Sequence, residues 1–198
     1  MSETPMRDDG PRDGIPEDAG ALLLPTARAA IGRALGLAPE PAAEPPAWAL
    51  TQGASFVTLT EGGELRGCIG SLEAMRPLLD DVRANAVAAA TRDPRFPPVT
   101  RPELGAMEIE VSVLSPPIPL AVSSLDDACG TLRPHVDGVI VECGPQHRAT
   151  FLPQVWEDLP HPDEFLLHLW LKAGLPPGVW HDGTTMQTYT VRAWREAT

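Results

Sequence analysis

Lysine is nearly missing from this chain of 198 residues: Lys172 is the single copy, and the other basic residues are arginines. Schiff-base chemistry therefore has one candidate, and a lysine in the last turn of a helix is already accounted for by the helix dipole. Cysteine is scarce as well. Cys68, Cys129 and Cys143 are an odd number at wide spacing with no CxxC pair. That argues against a disulfide scaffold or a cysteine-rich zinc site and for a reducing compartment. The five histidines form no HxH or HxxxH pair, so no metal site is expected, and nothing implies a cofactor. No run of about 18 apolar residues exists, so no membrane span is expected. The N-terminus lacks a basic region ahead of an apolar core, so it does not read as a signal peptide. A cytoplasmic location is expected. The formal charge is −12 and the pI about 4.7, with no Lys/Arg cluster. Nucleic acid and anionic membrane surfaces are poor partners for such a chain.

What the chain does have is proline. Its 23 copies are about twice the usual share of ~5%, and they break the chain into short elements. The hydrophobic fraction of 43% is that of a globular protein. Residues 1–20 are acidic and rich in Pro and Gly and read as a tail; residues 21–198 read as the domain. A helix is expected over 25–36, with Pro25 in its first turn, Ala27, Ala30, Ile31, Ala34 and Leu35 as its stripe and Gly36 as its stop. Pro39, Pro41, Pro45 and Pro46 suit an extended connector. Phe56–Thr60 and the segment after Gly62-Gly63 read as a β-hairpin. Leu79, Val82, Ala86, Ala89 and Ala90 give a second helix, stopped at Asp93-Pro94. Thr100 and Glu103 have capping-box spacing. Met107–Leu114 alternates as a half-buried strand, ended by Pro116, Pro117 and Pro119.

The C-terminal part continues the alternation of short elements. A short helix is expected over 123–132, two strands around a 144–147 turn, and a helix over 162–173 stopped at Gly174. A last strand spans 188–195. Hairpins and short helices favour an antiparallel α+β arrangement over a doubly wound sheet.

The densest stretch is Leu65-Arg66-Gly67-Cys68-Ile69-Gly70, on the second strand of the hairpin. In a regular strand Arg66 and Cys68 share one face, while Leu65 and Ile69 share the other. Two glycines inside a strand imply that something approaches its backbone or that the strand bends. Cys68 is either a nucleophile favoured by Arg66 or a small packed side chain. Arg66 and Arg95 are either anion clamps or members of salt bridges. Glu108 and Glu110 are either paired carboxylates or the wet side of a strand. Asp137-Gly138 reads as a turn entering a strand.

These segments resemble a known family. LRGCIG, the Asn85-Ala86 … Ala89-Ala90 helix and Asp93-Pro94-Arg95-Phe96-Pro97-Pro98 are similar to the AMMECR-type domain, also called AmmeMemoRadiSam system protein A. So are Val136–Val139, Ala149–Trp156, Phe165-Leu166, Lys172–Leu175 and Trp180. The resemblance implies two unequal α+β subdomains, each with an antiparallel sheet flanked by helices, and a cleft faced by the hexapeptide. It implies no settled reaction. It places Arg66, Gly67, Cys68, Ile69, Gly70 and Asp137 at that cleft, and Arg95, as an arginine fork in a proline-stiffened loop, completes the ligand-binding set. It also suggests protein or peptide partners, namely the Memo-type and radical-SAM proteins that such domains accompany. Some relatives carry histidine where this chain has Asp137, so a mechanism that needs a histidine there does not carry over. The expected function is a binding module, with an enzyme using Cys68 as nucleophile as the alternative.

Overall fold

The computed structural model describes residues 14–37 and 44–197. The described residues divide into two compact units: 14–37, 44–114 and 192–197 form the first, and Ser115–Val191 the second. Both are α+β with antiparallel pairing, as the sequence implies.

The first unit opens with helix α1 (Gly20–Ala34) and a single turn α2 (Ala47–Leu50). Helix α1 begins five residues before its expected start, so Pro25 lies inside it and not in its first turn. Residues ahead of the helix are held as well. Ile15 and Ala19 are buried, and Arg192 donates to the Ile15 and Pro16 carbonyls. The C-terminal stop is as expected. Gly36 adopts φ +78°, and the Gly36 and Leu37 amides bond back to Arg33 and Gly32, which is a Schellman closure. Of the expected stripe Ala27, Ala30 and Ile31 are buried, whereas Ala34 is exposed. Of the connector prolines, Pro39 and Pro41 lie outside the described residues.

Strands β1 (Gln52–Glu61) and β2 (Glu64–Gly70) form the hairpin. Gly62 and Gly63 both have positive φ, as a two-residue turn of the twist-matching kind requires. A two-residue strand β3 (Arg76–Pro77) pairs with the start of β1. Helix α3 (Leu78–Thr91) and the one-turn α4 (Arg101–Leu104) follow, then β4 (Met107–Leu114). The capping box of α4 is formed by Thr100 and Glu103. Strand β4 buries Ile109, Val111 and Val113 as expected, but the alternation holds only through Glu108 and Glu110: Ser112 is buried as well, so both faces are covered from Val111 to Leu114. With β9 (Val191–Arg195) the strand order is β2-β1-β4-β9. Val57 and Leu59 of β1, Val82, Ala86 and Ala89 of α3, and Leu23, Ala27 and Ile31 of α1 meet in one core.

The second unit holds β5 (Ile118–Leu120), α5 (Leu125–Thr131), β6 (Gly138–Cys143), β7 (His147–Phe151), α6 (Pro162–Lys172) and β8 (Thr184–Tyr189), with a 3-10 turn over Pro153–Glu157. Its sheet runs β5-β8-β6-β7. Phe165, Leu166, Leu169 and Trp170 of α6 are buried, with Trp156 stacked on Phe165 at 3.7 Å. The single last strand read from 188–195 is in fact two strands in two sheets. The chain breaks at Thr190, whose amide is taken by the Ser115 hydroxyl and whose carbonyl accepts from the Ser115 amide. Pro119, read as a strand terminator, sits within β5.

Candidate functional site

Strand β2 lies at an edge of its sheet, and an edge strand leaves a row of backbone groups without a strand partner. Here the middle of that row is closed by the loop after α3. The Cys68 amide donates to Asp93 Oδ2 at 2.8 Å. The Cys68 carbonyl accepts from Arg95 Nη2 at 3.3 Å. Asp93 and Arg95 are themselves joined at both ends, through Nε (3.0 Å) and Nη2 (2.7 Å). The pair thus presents one acceptor and one donor to a single residue, as a neighbouring strand would. Asp93 is buried, whereas the Arg95 side chain is 53% exposed.

The electrostatics follow from these contacts. The Arg95 guanidinium, with help from the Cys68 and Arg95 amides, outweighs burial and holds the Asp93 carboxyl well below the usual range. Asp93 in turn raises Arg95. The Glu103 carboxyl is held down at about 2, by the Thr100 hydroxyl first, then by the Thr100 amide and Arg66.

Arg66 belongs to that second cluster. Its Nε and Nη2 donate to Glu103 Oε1 at 3.1 and 3.0 Å, and its Nη1 donates to the Pro97 carbonyl at 2.7 Å. The side chain is only 14% exposed. It ties β2 to the loop before α4. The expected shared face of Arg66 and Cys68 is not that of a regular strand. Thr60 pairs with Leu65 and Leu59 with Gly67, so Arg66 is the extra residue of a β-bulge. The register places Leu65, not Arg66, opposite Thr60, on the side where Cys68 faces Thr58. The Cys68 thiol accepts from the Thr58 hydroxyl at 3.3 Å, and Cys68 is partly exposed.

Both glycines of the hexapeptide are explained by the protein's own packing. A Cβ on Gly67 would stand 2.3 Å from the Ala89 carbonyl oxygen of α3, and one on Gly70 would stand 2.2 Å from the Phe56 ring. The close approach expected at these positions exists, and a helix backbone and an aromatic ring make it. Ile69 packs against the core of the first unit.

Asp137 belongs to the second unit. It is fully buried and accepts from the Arg133 amide at 2.9 Å and from the Arg133 guanidinium at 2.8 Å. Its carbonyl takes the Trp156 indole N–H at 2.7 Å. Its carboxylate is committed to the turn that enters β6, in which His135 adopts φ +64°. Glu110 is bridged to Arg195 at 2.6 Å, so the two carboxylates of β4 do not act as an isolated pair. The five histidines all fall in the second unit. Among the described residues, no group of three or more His, Cys, Asp or Glu side chains is placed to hold a metal ion, and no helix is long and apolar enough to cross a membrane.

Sequence reading did not single out Asp81. It is 1% exposed and accepts from the Ser55 amide and hydroxyl, the Ser71 hydroxyl, Arg76 Nε and Asn85 Nδ2, all within 2.7–2.9 Å. Its partners lie up to 26 positions away. The one signal was Asn85, noted only as part of a motif.

A two-unit α+β protein with a latched edge hairpin is thus defined, and comparison with known proteins places it. The AMMECR1 family model matches residues 24–194, and the chain belongs to that family. A protein of Thermofilum pendens is 37% identical over 91% of each chain. One from Methanothermobacter thermautotrophicus is 48% identical over 66% of this chain and 68% of its own. The crystal structure of an uncharacterized protein from Pyrococcus horikoshii superposes with a TM-score of 0.76 at 34% identity, covering 92% of this chain and 93% of that one.

Proposed function

We propose that this AMMECR1-family protein is a binding module whose contact point is the latched edge of β2, and that it holds an acidic segment of a Memo-type or radical-SAM partner protein. The observation that supports this reading is the state of Arg95. Its guanidinium is oriented by Asp93 through two nitrogens, yet more than half of the side chain faces solvent. The bonds to Asp93 and to the Cys68 carbonyl leave Nη1 for an incoming carboxylate, and a guanidinium fixed in advance loses little freedom on meeting it. The partly exposed Cys68 thiol adjoins it. Arg66 enters as a support, since it holds the loop, whereas Asp137 holds a turn of the second unit. The alternative in which Cys68 is a nucleophile needs an adjacent base. Among the described residues the thiol's hydrogen-bond partner is a threonine hydroxyl.

The test is calorimetric titration of purified Memo-type and radical-SAM proteins from the same genome into the parent chain, Arg95→Met and Cys68→Ala. Thermal denaturation confirms that each variant is folded. Arg95→Met is expected to weaken binding about tenfold or more, an effect of about 1.4 kcal/mol. Unchanged affinity in folded Arg95→Met, or no binding by the parent, overturns the reading.

A further inference from the structure

Helices α5 and α6 of the second unit, with Gly178 and Trp180, line an open pocket of about 430 Å³, within the roughly 300–1,000 Å³ range of ligand pockets. Its walls are Leu166, Trp170 and Trp180, with the two indoles tilted 5.9 Å apart. Trp170 is fixed, being fully buried with its N–H on the Val179 carbonyl at 3.0 Å. Leu167 lines the pocket and is 41% exposed. Leu171, one turn further along α6, and Val179, between the lining residues Gly178 and Trp180, are 53% and 47% exposed. Single exposed apolar residues are ordinary, but a cluster around an aromatic cavity marks an interaction surface.

The charge at this opening has one sign. Asp126 and Asp163 line it, one from α5 and one from α6, and neither carboxylate forms an ion pair among the described residues. Part of their role is to offset the positive ends of the two helices in whose first turns they lie. Burial first, and then Asp163 and Asp126, push the Cys129 thiol upward, so both carboxylates act on the pocket wall between them.

We infer that this face docks a basic amphipathic segment of another protein. An apolar side chain of the segment enters the cavity and its Lys or Arg groups meet Asp126 and Asp163. Charge complementarity selects this occupant over the chain's own N-terminal stretch, in which Glu3, Asp8, Asp9 and Asp13 outnumber Arg7 and Arg12. The inference concerns a surface separate from the β2 edge and does not depend on the role of Arg95.

The probe is a synthetic leucine/lysine peptide with leucines at i, i+3, i+4 and i+7, titrated into the isotopically labelled full chain. The controls are the same peptide with glutamate for lysine, and the charge-matched variant Glu61→Gln/Glu64→Gln in the hairpin turn of the first unit. The lysine peptide should move the Trp170 and Trp180 indole signals, and the glutamate peptide should not. Asp126→Asn/Asp163→Asn and Leu167→Asp should each weaken binding about tenfold, while the hairpin variant binds as the parent does. Several results overturn the inference: no binding, binding that leaves both indoles unmoved, equal binding of the glutamate peptide, or full affinity in the Asp126→Asn/Asp163→Asn variant. Indole shifts that grow with protein concentration alone would assign the face to a second copy of this chain and overturn it as well.

Discussion

Gly67 sits where a strand and a helix backbone touch. Because its hypothetical Cβ would stand 2.3 Å from a main-chain carbonyl, relief requires α3 or β2 to move. Gly67→Ala is therefore expected to cost about 1–3 kcal/mol, the usual range for overpacking, read as a lower urea midpoint. Gly130 in α5 makes the opposite case, since nothing lies within 4 Å of its added Cβ. Gly130→Ala should stabilise by up to about 1 kcal/mol through helix propensity alone. If both variants shift the midpoint the same way, the packing argument at Gly67 is wrong. Asp93 and Glu103 add a pH dependence. Both carboxyls have folded pKa values below their unfolded ones. Their contribution is present above the ordinary carboxylate range near pH 4 and is lost as pH falls toward about 2 and below. Thermal denaturation from pH 6 to pH 2 should show a falling acid limb, shallower in Asp93→Asn. An acid limb of equal slope in that variant would contradict the assignment.

At the scale of elements, the parts of the fold that depend on near neighbours were legible in the sequence. The hairpin followed from Gly62-Gly63, the α4 start from Thr100 and Glu103, and the α6 stop from Gly174. What depends on distant partners was not. The bulge at Arg66 exists only in register with β1, and the latch joins Asp93 to a residue 25 positions earlier. The two glycines signalled a close approach correctly, but nothing local says whether a ligand or a helix makes it. Asp81 shows the same limit with the larger energetic consequence. One buried carboxylate satisfies β1 through Ser55, the turn after β2 through Ser71, β3 through Arg76 and its own helix through Asn85. Asp81→Ala strands several buried donors at once, and each unsatisfied group costs about 1–3 kcal/mol. The expected loss is about 3 kcal/mol or more in urea denaturation, against a change within about 0.5 kcal/mol for the exposed neighbour Asp80→Ala. Equal effects at the two positions would show that the network does not join these elements.

For the whole molecule, the decisive feature is how the chain is threaded. The first unit takes its sheet from both ends of the sequence, β1, β2 and β4 from one side and β9 from the other. The second unit is one uninterrupted segment, Ser115–Val191. Its ends are held together by its own hydrogen bonds, with the Ser115 amide on the Thr190 carbonyl at 2.8 Å and the Thr190 amide on the Ser115 hydroxyl at 2.9 Å. It also has a core of its own, in which Val139, Val141, Trp156, Phe165, Leu169 and Trp170 pack together. A segment with adjacent ends and a private core meets the physical conditions for folding alone, although its small size leaves it a narrow margin. Residues 115–191 expressed by themselves should therefore unfold cooperatively in urea, with near-ultraviolet dichroism from the stacked Trp156–Phe165 pair and the Trp170–Trp180 pair. The complementary piece, residues 1–114, is expected to behave differently. Without β9 it loses the Arg28–Glu196 bridge and the Trp194 side chain packed over Gly20, so it should unfold at lower urea than a chain in which a short linker joins Leu114 to Arg192. If 115–191 shows helical far-ultraviolet dichroism but no near-ultraviolet signal and no cooperative transition, its core is not self-sufficient.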